Sequence, residues 1–311
     1  MSLVVGFEGY RKPSWLKPRW LNASGFLFKR LRHVPLKKAI TFAVDVICYR
    51  KAVFALLRAP RDSNVRTLIT EYPEILFMVS GPYIAKNWDG AKRIALLIDH
   101  CRTVEGGVLD LPPGGRLDLC ELTVIDPRYR LIVHQPREYI WEGLLDLSLC
   151  FENRVVFSLR FSLSSRYDRR IAYIGALQGK HPRNHSAIAQ VYKDFSKKFE
   201  RIRPRDFMIE TFQMLCGALE VDQILAVADA NKPRRCYQRS YDEQWTVRGG
   251  VYEGNGFFRL PVIPRRRTEK EMTPKKRSMY RRRYALLDSV ESAITVALRR
   301  KKTAQDSLRI A

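Results

Sequence analysis

Apolar and polar side chains alternate through the middle of the chain, and this alternation restricts the fold more than any other feature of the sequence. In residues 154–163 the apolar positions share one parity: Val155, Phe157, Leu159, Phe161 and Leu163. Residues 145–149 alternate in the same way. A strand points successive side chains to opposite faces, so both runs predict half-buried antiparallel strands. Further stretches at 122–125, 131–134 and 171–177 extend the pattern to a meander of about five strands.

Helical spacing follows the predicted meander. Apolar residues recur at helical intervals within 188–199 and again within 209–219. Asp206, just after Pro204, is a candidate N-cap for the second helix. Residues 224–228 then suit a short buried strand. Together these elements predict an α+β fold, an antiparallel-rich sheet meander with flanking helices, and an acetyltransferase-like sheet is one form of it.

The chain divides into two predicted regions. Residues 1–115 form a basic, mainly helical N-terminal region, with one helix over 91–104 and a buried or amphipathic helix in 39–57. The Pro-Pro-Gly-Gly tract at 112–115 is a turn signal and marks the boundary. Residues 116–311 form the α+β sheet domain, which closes on a basic helix with an apolar stripe from Tyr280 to Leu298.

Positive charge is concentrated at the two ends of the chain. Residues 1–60 hold 12 Lys and Arg against 2 Asp and Glu, and residues 265–302 hold 14 against 4. The net charge of the whole chain is +24, so the span between these ends is nearly balanced. Clustered cations attract nucleic acid, anionic lipid or acidic polysaccharide, although a solvated basic surface without a dedicated partner has the same composition.

The cysteines and the apolar segments bear on the compartment. The chain has 6 scattered cysteines without a C-x-x-C pair, which indicates reduced core thiols rather than disulfides or a metal site. The first ten residues lack the pattern of a signal peptide. Asp45, Arg50 and Lys51 interrupt the most apolar stretch. We therefore expect a cytoplasmic protein, with peripheral attachment at the inner membrane as an open alternative.

One loop has the composition of a phosphate-binding site. Residues 178–186 join a predicted strand to a helix, and this loop contains Gln178, Gly179, Lys180 and Arg183. A helix N-terminus with backbone N–H groups and nearby cations can hold the pyrophosphate of coenzyme A or of an acyl-carrier phosphopantetheine. An ordinary tight turn with surface charges explains the same residues. P-loop, nucleophile-elbow and zinc-protease motifs are absent.

Two residues are candidates for proton transfer. His181 lies in the same loop and can exchange a proton near neutral pH, although loop histidines are often only exposed. Glu142, at the start of a predicted strand beside Gly143, could act as a base or only cap a turn.

The last predicted helix supplies the candidate anion-binding residues. They are Lys276, Arg277, Arg281, Arg282 and Arg283. Cations in the first turn of a helix oppose its dipole, so a bound anion would compensate for them.

Several spaced motifs resemble those of the VirK/YbjX family of Gram-negative bacteria, which has no established biochemical activity. The motifs run from about residue 70 to 290 and occur in the family's order: Pro82-Tyr83, the helix with His100, Glu142-Gly143, Tyr173–Gly179, Arg203-Pro204, Tyr241-Asp242 with Trp245, Gly249-Gly250, and Lys275–Arg283. The resemblance implies a role in virulence and in tolerance of cationic antimicrobial peptides, through the cell envelope. The family often carries a histidine after the strand at 224–228, where this chain has Asn231-Lys232-Pro233-Arg234-Arg235. That departure weakens any mechanism based on a histidine there.

Three functions remain as hypotheses. The first is an acyltransferase that acts on an envelope or carrier-bound substrate, in which the basic ends dock an anionic lipid or an acyl-carrier protein. The second is a non-catalytic adaptor that binds anionic lipid or another envelope component. Nucleic-acid binding ranks last, because the cationic segments lack a recognisable reading motif.

Overall fold

The computed structural model describes residues 36–136, 140–166, 168–180, 186–233 and 240–310. Two regions of the sequence that carried hypotheses, 1–35 and the loop 181–185, lie outside these residues.

The described residues contain one eight-stranded sheet, with strand order β1-β2-β3-β4-β5-β6-β8-β7. The strands are β1 (Arg116–Glu121), β2 (Tyr129–His134), β3 (Leu145–Phe151), β4 (Arg154–Arg166), β5 (Arg169–Gly179), β6 (Gln223–Val227), β7 (Val251–Gly254) and β8 (Phe257–Leu260). Neighbouring strands are antiparallel except for β5 and β6, which are parallel. The α+β prediction is confirmed.

The strand predicted at 122–125 is wrong. Strand β1 ends at Glu121, and the N–H groups of Ile125 and Asp126 both donate to the carbonyl of Leu122. These bonds close the chain reversal between β1 and β2, so the apolar residues of 122–125 belong to a turn.

Eight α-helices accompany the sheet in the described part of the chain. They are α1 (Leu36–Cys48), α2 (Arg50–Leu57), α3 (Asn64–Glu71), α4 (Gly90–Val104), α5 (Ser186–Lys198), α6 (Pro204–Ala218), α7 (Tyr241–Val247) and α8 (Pro274–Ile310). Asp206 is not the N-cap of α6. Arg203 holds that position and Pro204 begins the helix, because the fixed φ of proline suits the first helical residue.

The core lies between the sheet and its helices. Helix α6 packs on β3, β4 and β5, where the rings of Phe212 and Phe161 are 4.9 Å apart. Helix α8 packs on α6 and β1, and α4 packs on β4. Buried apolar residues from 1–115 and from the sheet belong to one hydrophobic cluster. The domain boundary at residue 115 stays a prediction.

Thiols lie in several environments. Cys101, Cys150 and Cys216 are buried and unpaired, as predicted for core thiols, whereas Cys48 is exposed. Cys236 lies outside the described residues.

No helix among those described is long and apolar enough to span a bilayer.

Strand β5 carries an irregularity that positions the candidate site. Arg160 of β4 faces Ala176, but the next residue, Phe161, faces Ile174, so Gly175 is an extra residue in β5. Such a bulge bends the strand and locally re-aims side chains. The parallel pairing of β5 with β6 also ends at Ile174, while β5 continues to Gly179.

Candidate functional site

Glu142 lies at the centre of a buried polar cluster. It ends a 3₁₀ turn before β3 and is 1% exposed. Its Oε2 forms an ion pair with the guanidinium of Arg160 and accepts a hydrogen bond of 2.8 Å from Nε2 of Gln178. The structure thus brings together two residues proposed from the sequence, 36 positions apart.

Arg160 joins Glu142 to a second buried carboxylate. Its Nε lies 3.2 Å from Oδ2 of Asp146, and Oδ1 of Asp146 accepts a 2.9 Å hydrogen bond from Ser148. Nε2 of His134 is 3.1 Å from the same hydroxyl. Burial raises the pKa of Asp146 above its usual range, and the positive charge of Arg160 opposes that effect.

Strand register explains why these residues meet. Asp146 faces His134 on β2 and Arg160 on β4, so one row of side chains crosses three strands. Asp146, Arg160 and His134 were not predicted from the sequence. They belong to the polar half of the alternation, which suits a solvent-facing surface, whereas here Asp146 is buried and Arg160 and His134 are only partly exposed.

The edge of β5 beyond its pairing with β6 is occupied by a side chain. The N–H of Leu177 donates to the hydroxyl of Tyr241 at 2.8 Å, and this hydroxyl lies 3.1 Å from the carbonyl of Leu177. Tyr241 is the first residue of α7 and is 2% exposed. Burial raises the pKa of Tyr241 well above its usual value, so the phenol stays protonated.

Gly175 allows the turn that contains Glu142 to lie close to β5. A Cβ at this position would lie 2.1 Å from the carbonyl oxygen of Glu142, and this clash could be removed only by moving the backbone. The bulge residue therefore has to be glycine for the Glu142 turn to lie on β5.

The remaining loop candidates have different surroundings. Gly179 ends β5, and a Cβ there would lie 2.7 Å from the ring of Phe157. Lys180 is exposed, and its carbonyl accepts a 3.1 Å hydrogen bond from the Tyr192 hydroxyl. His181 and Arg183 lie outside the described residues.

The basic residues of α8 make contacts within the protein. Helix α8 begins at Pro274, so Arg281–Arg283 do not lie in its first turn and the helix-dipole argument for them is wrong. Arg282 contacts both carboxylate oxygens of Glu200, at 2.7 and 3.0 Å.

The neighbouring cations of α8 differ in their contacts. Arg283 donates to the carbonyl of Glu200 at 3.1 Å. Arg281 lies 3.4 Å from the carboxylate of Glu269, and Arg277 donates to its carbonyl at 3.2 Å. Lys276 is exposed. Anion binding by these residues stays a prediction.

No group of three or more His, Cys, Asp or Glu side chains within the described ranges is arranged to hold a metal ion. The cluster contains carboxylates, a guanidinium, an amide, an imidazole and a phenol.

Comparison with known proteins places the chain among proteins without an assigned activity. Residues 33–295 match the family model described as "Protein of unknown function (DUF535)". The "Uncharacterized protein YbjX" of Escherichia coli (strain K12) is 26% identical over 256 residues, which cover 76% of each chain. An uncharacterized protein of Haemophilus influenzae is 30% identical over 224 residues, 66% of this chain and 71% of that one. No solved structure matches.

Proposed function

This chain belongs to the VirK/YbjX family, described as a protein family of unknown function (DUF535), and we propose that it transfers an acyl group from a thioester to a polar acceptor. The donor would be coenzyme A or an acyl-carrier phosphopantetheine.

The observation that supports this proposal is that β5 and β6 stop pairing before β5 ends. Their parallel pairing stops at Ile174, and the Leu177 backbone beyond it is bonded to a side chain instead of a strand. A pantetheine arm carries two amides, and extended amide chains bind by pairing with an exposed strand edge. Residues 178–186 then lead from this edge to the N-terminus of α5, where a phosphate group is favoured.

The donor fits this edge on one condition. The hydroxyl of Tyr241 occupies both backbone groups of Leu177, so a pantetheine amide has to displace it. A displaced, protonated phenol beside the thioester could then donate a proton to the leaving thiolate. Acyl transfer needs such a donor, because a bond to sulfur breaks as the bond to the acceptor oxygen or nitrogen forms.

Glu142 is the proton acceptor in this proposal. Its carboxylate lies one hydrogen bond from Gln178, on the strand that would carry the donor. Arg160 forms an ion pair with this carboxylate within the buried cluster. His181, proposed as the other acceptor, adds a second candidate from the adjoining loop.

The test compares ligands by thermal shift. Coenzyme A and palmitoyl-coenzyme A should stabilise the protein by about 2.7 kcal/mol at 100 times their dissociation constants. The double variant K180E/R183E should lose this shift, and K193E, which changes an exposed lysine on α5, should keep it. Y241F should bind the donor but release thiol from it at least about 100-fold more slowly. Equal shifts with ATP that disappear in salt would contradict the proposal.

A second function is favoured by the surface of α1. Leu36, Ile40, Val44 and Ile47 lie along one side of this helix and are 76%, 55%, 52% and 65% exposed. Exposed cations lie near both ends of this helix in the sequence, Lys37 in its first turn and Arg50 and Lys51 at the start of α2. An apolar stripe bordered by cations is typical of a helix that lies in the interface of an anionic membrane. We therefore propose peripheral membrane binding through α1, which is compatible with either a catalytic or an adaptor role.

Vesicle binding tests the role of α1. The variant I40E/I47E should bind phosphatidylglycerol-containing vesicles at least about tenfold more weakly, because two apolar contacts with the acyl region are replaced by charges. The matched control V251E/I263E changes two apolar residues that are 58% and 80% exposed elsewhere. Binding should also weaken in salt and on neutral phosphatidylcholine vesicles. Equal losses in the two double variants would attribute the effect to net charge and exclude a specific role for α1.

A further inference from the structure

A cavity separate from the Glu142 cluster lies where α3 and α4 meet the segment 109–113 and the ends of β2 and β3. Its volume is about 340 Å³, within the range of small-ligand sites. Most of its wall is apolar and comes from Leu68, Val104, Leu109, Leu111, Leu144 and Leu145. The polar side chains that line it decide what it can bind.

His100 contributes a hydrogen-bond donor to this cavity. It is 4% exposed, and its Nδ1 accepts a 3.0 Å hydrogen bond from the N–H of Leu163. A neutral imidazole that accepts at Nδ1 carries its proton on Nε2. The ring of His100 lies in the wall of the cavity.

Gln135 contributes an acceptor. Its Oε1 is buried and has no hydrogen-bond partner. A buried acceptor without a partner destabilises the protein, so a ligand that supplies a donor is favoured. Gln135 follows β2, so its backbone position is set by the sheet.

The polar side chains of Asn64, Thr67 and Asp110 in the wall all have hydrogen-bond partners within the protein. Nδ2 of Asn64 donates to Oδ1 of Asp110 at 2.8 Å, and the N–H of Gly106 donates to its Oδ2 at 2.7 Å. The lining contains no Lys or Arg that could balance an anion. The cavity therefore suits an uncharged molecule with one donor and one acceptor on an apolar body.

We propose that this cavity binds an aliphatic alcohol, or the hydroxyl-bearing part of a longer aliphatic chain. In this proposal the hydroxyl oxygen accepts from Nε2–H of His100, and the hydroxyl hydrogen is donated to Oε1 of Gln135 once that side chain turns towards the cavity. The alkyl body lies against the leucines and Val104. This site does not depend on the proposed acyl transfer.

The experiment follows methyl resonances of leucine and valine by NMR during titration with 1-hexanol. The expected result is saturable shifts confined to the lining residues. Hexanoate, which has the same length and a negative charge, should not produce them. Q135M keeps the side-chain length but removes the acceptor, and it should weaken hexanol binding by about three- to tenfold.

A second variant tests the space itself. V104F places a larger side chain in the cavity and should abolish the shifts, while V296F on α8, where Val296 is 44% exposed, should leave them unchanged. Three outcomes would overturn the proposal: no saturable shift with hexanol, in which case the cavity holds only water; equal shifts with hexanoate; or unchanged hexanol affinity in Q135M.

Discussion

Replacing Arg160 by methionine should lower the free energy of unfolding by about 3–5 kcal/mol, because it removes the guanidinium that pairs with the buried carboxylates of Glu142 and Asp146. Urea denaturation measures this change. Asp146 already has a raised pKa, and the loss of Arg160 should raise it further. A carboxyl group whose pKa is raised by folding stabilises the protein less as the pH rises. The difference in unfolding free energy between R160M and the wild type should therefore shrink when the pH is lowered towards 5.

R166M is the matched control. Arg166 also pairs with an aspartate, since its Nε is 3.1 Å from Oδ2 of Asp99, but its side chain is 48% exposed. Exposed pairs contribute about 0–1 kcal/mol, so this variant should unfold close to the wild type. Similar losses for R160M and R166M would mean that water reaches the Arg160 cluster and that its burial has little energetic effect.

The unfolding free energy should fall by about 2 kcal/mol through His100 alone when the pH changes from 7.5 to 5. Burial lowers the pKa of His100 to about 4, whereas the pKa of a histidine in the unfolded chain is about 6.5. As the pH falls, the unfolded chain therefore binds a proton at this residue at a higher pH than the folded protein does. The stability contribution of His100 is complete above the unfolded pKa and is lost as the pH falls towards the folded one.

The difference between wild type and H100Q isolates this effect from other titrations. A glutamine carbonyl can still accept the N–H of Leu163, but it does not titrate. Unfolding measured from pH 7.5 to 5 should show a shallower decline for H100Q. Parallel curves for the two proteins would show that His100 is protonated without unfolding, which would contradict its burial as a neutral side chain.

Local periodicity was sufficient to predict most of the elements. The alternation at 145–149 and 154–163 predicted β3 and β4, and helical spacing predicted α5, α6 and the long α8. These predictions succeeded because one covered face imposes a period of two on a strand and 3.6 on a helix. The strand predicted at 122–125 failed because a short run of three apolar residues without a period can equally form a turn.

The candidate site was only partly predictable. Glu142 and Gln178 attracted attention as single polar residues beside glycines, but nothing in their spacing showed that they share a hydrogen bond. Asp146 and Arg160 occupy the polar half of an alternating pattern. Alternation shows which side chains lie on the same face of a strand, but it does not show whether that face is covered.

Local periodicity accounts for β3, β4, α5, α6 and α8, and the composition accounts for the basic ends. The tertiary structure alone decided that β6 lies parallel to β5, that the two strands part after Ile174, and that Tyr241 takes the place of the missing partner. It also buried Asp146 beside Arg160, whose side chain is 14% exposed. The physical reason is that these contacts join segments 18 to 64 residues apart, whose register depends on packing of the whole sheet and not on local propensity.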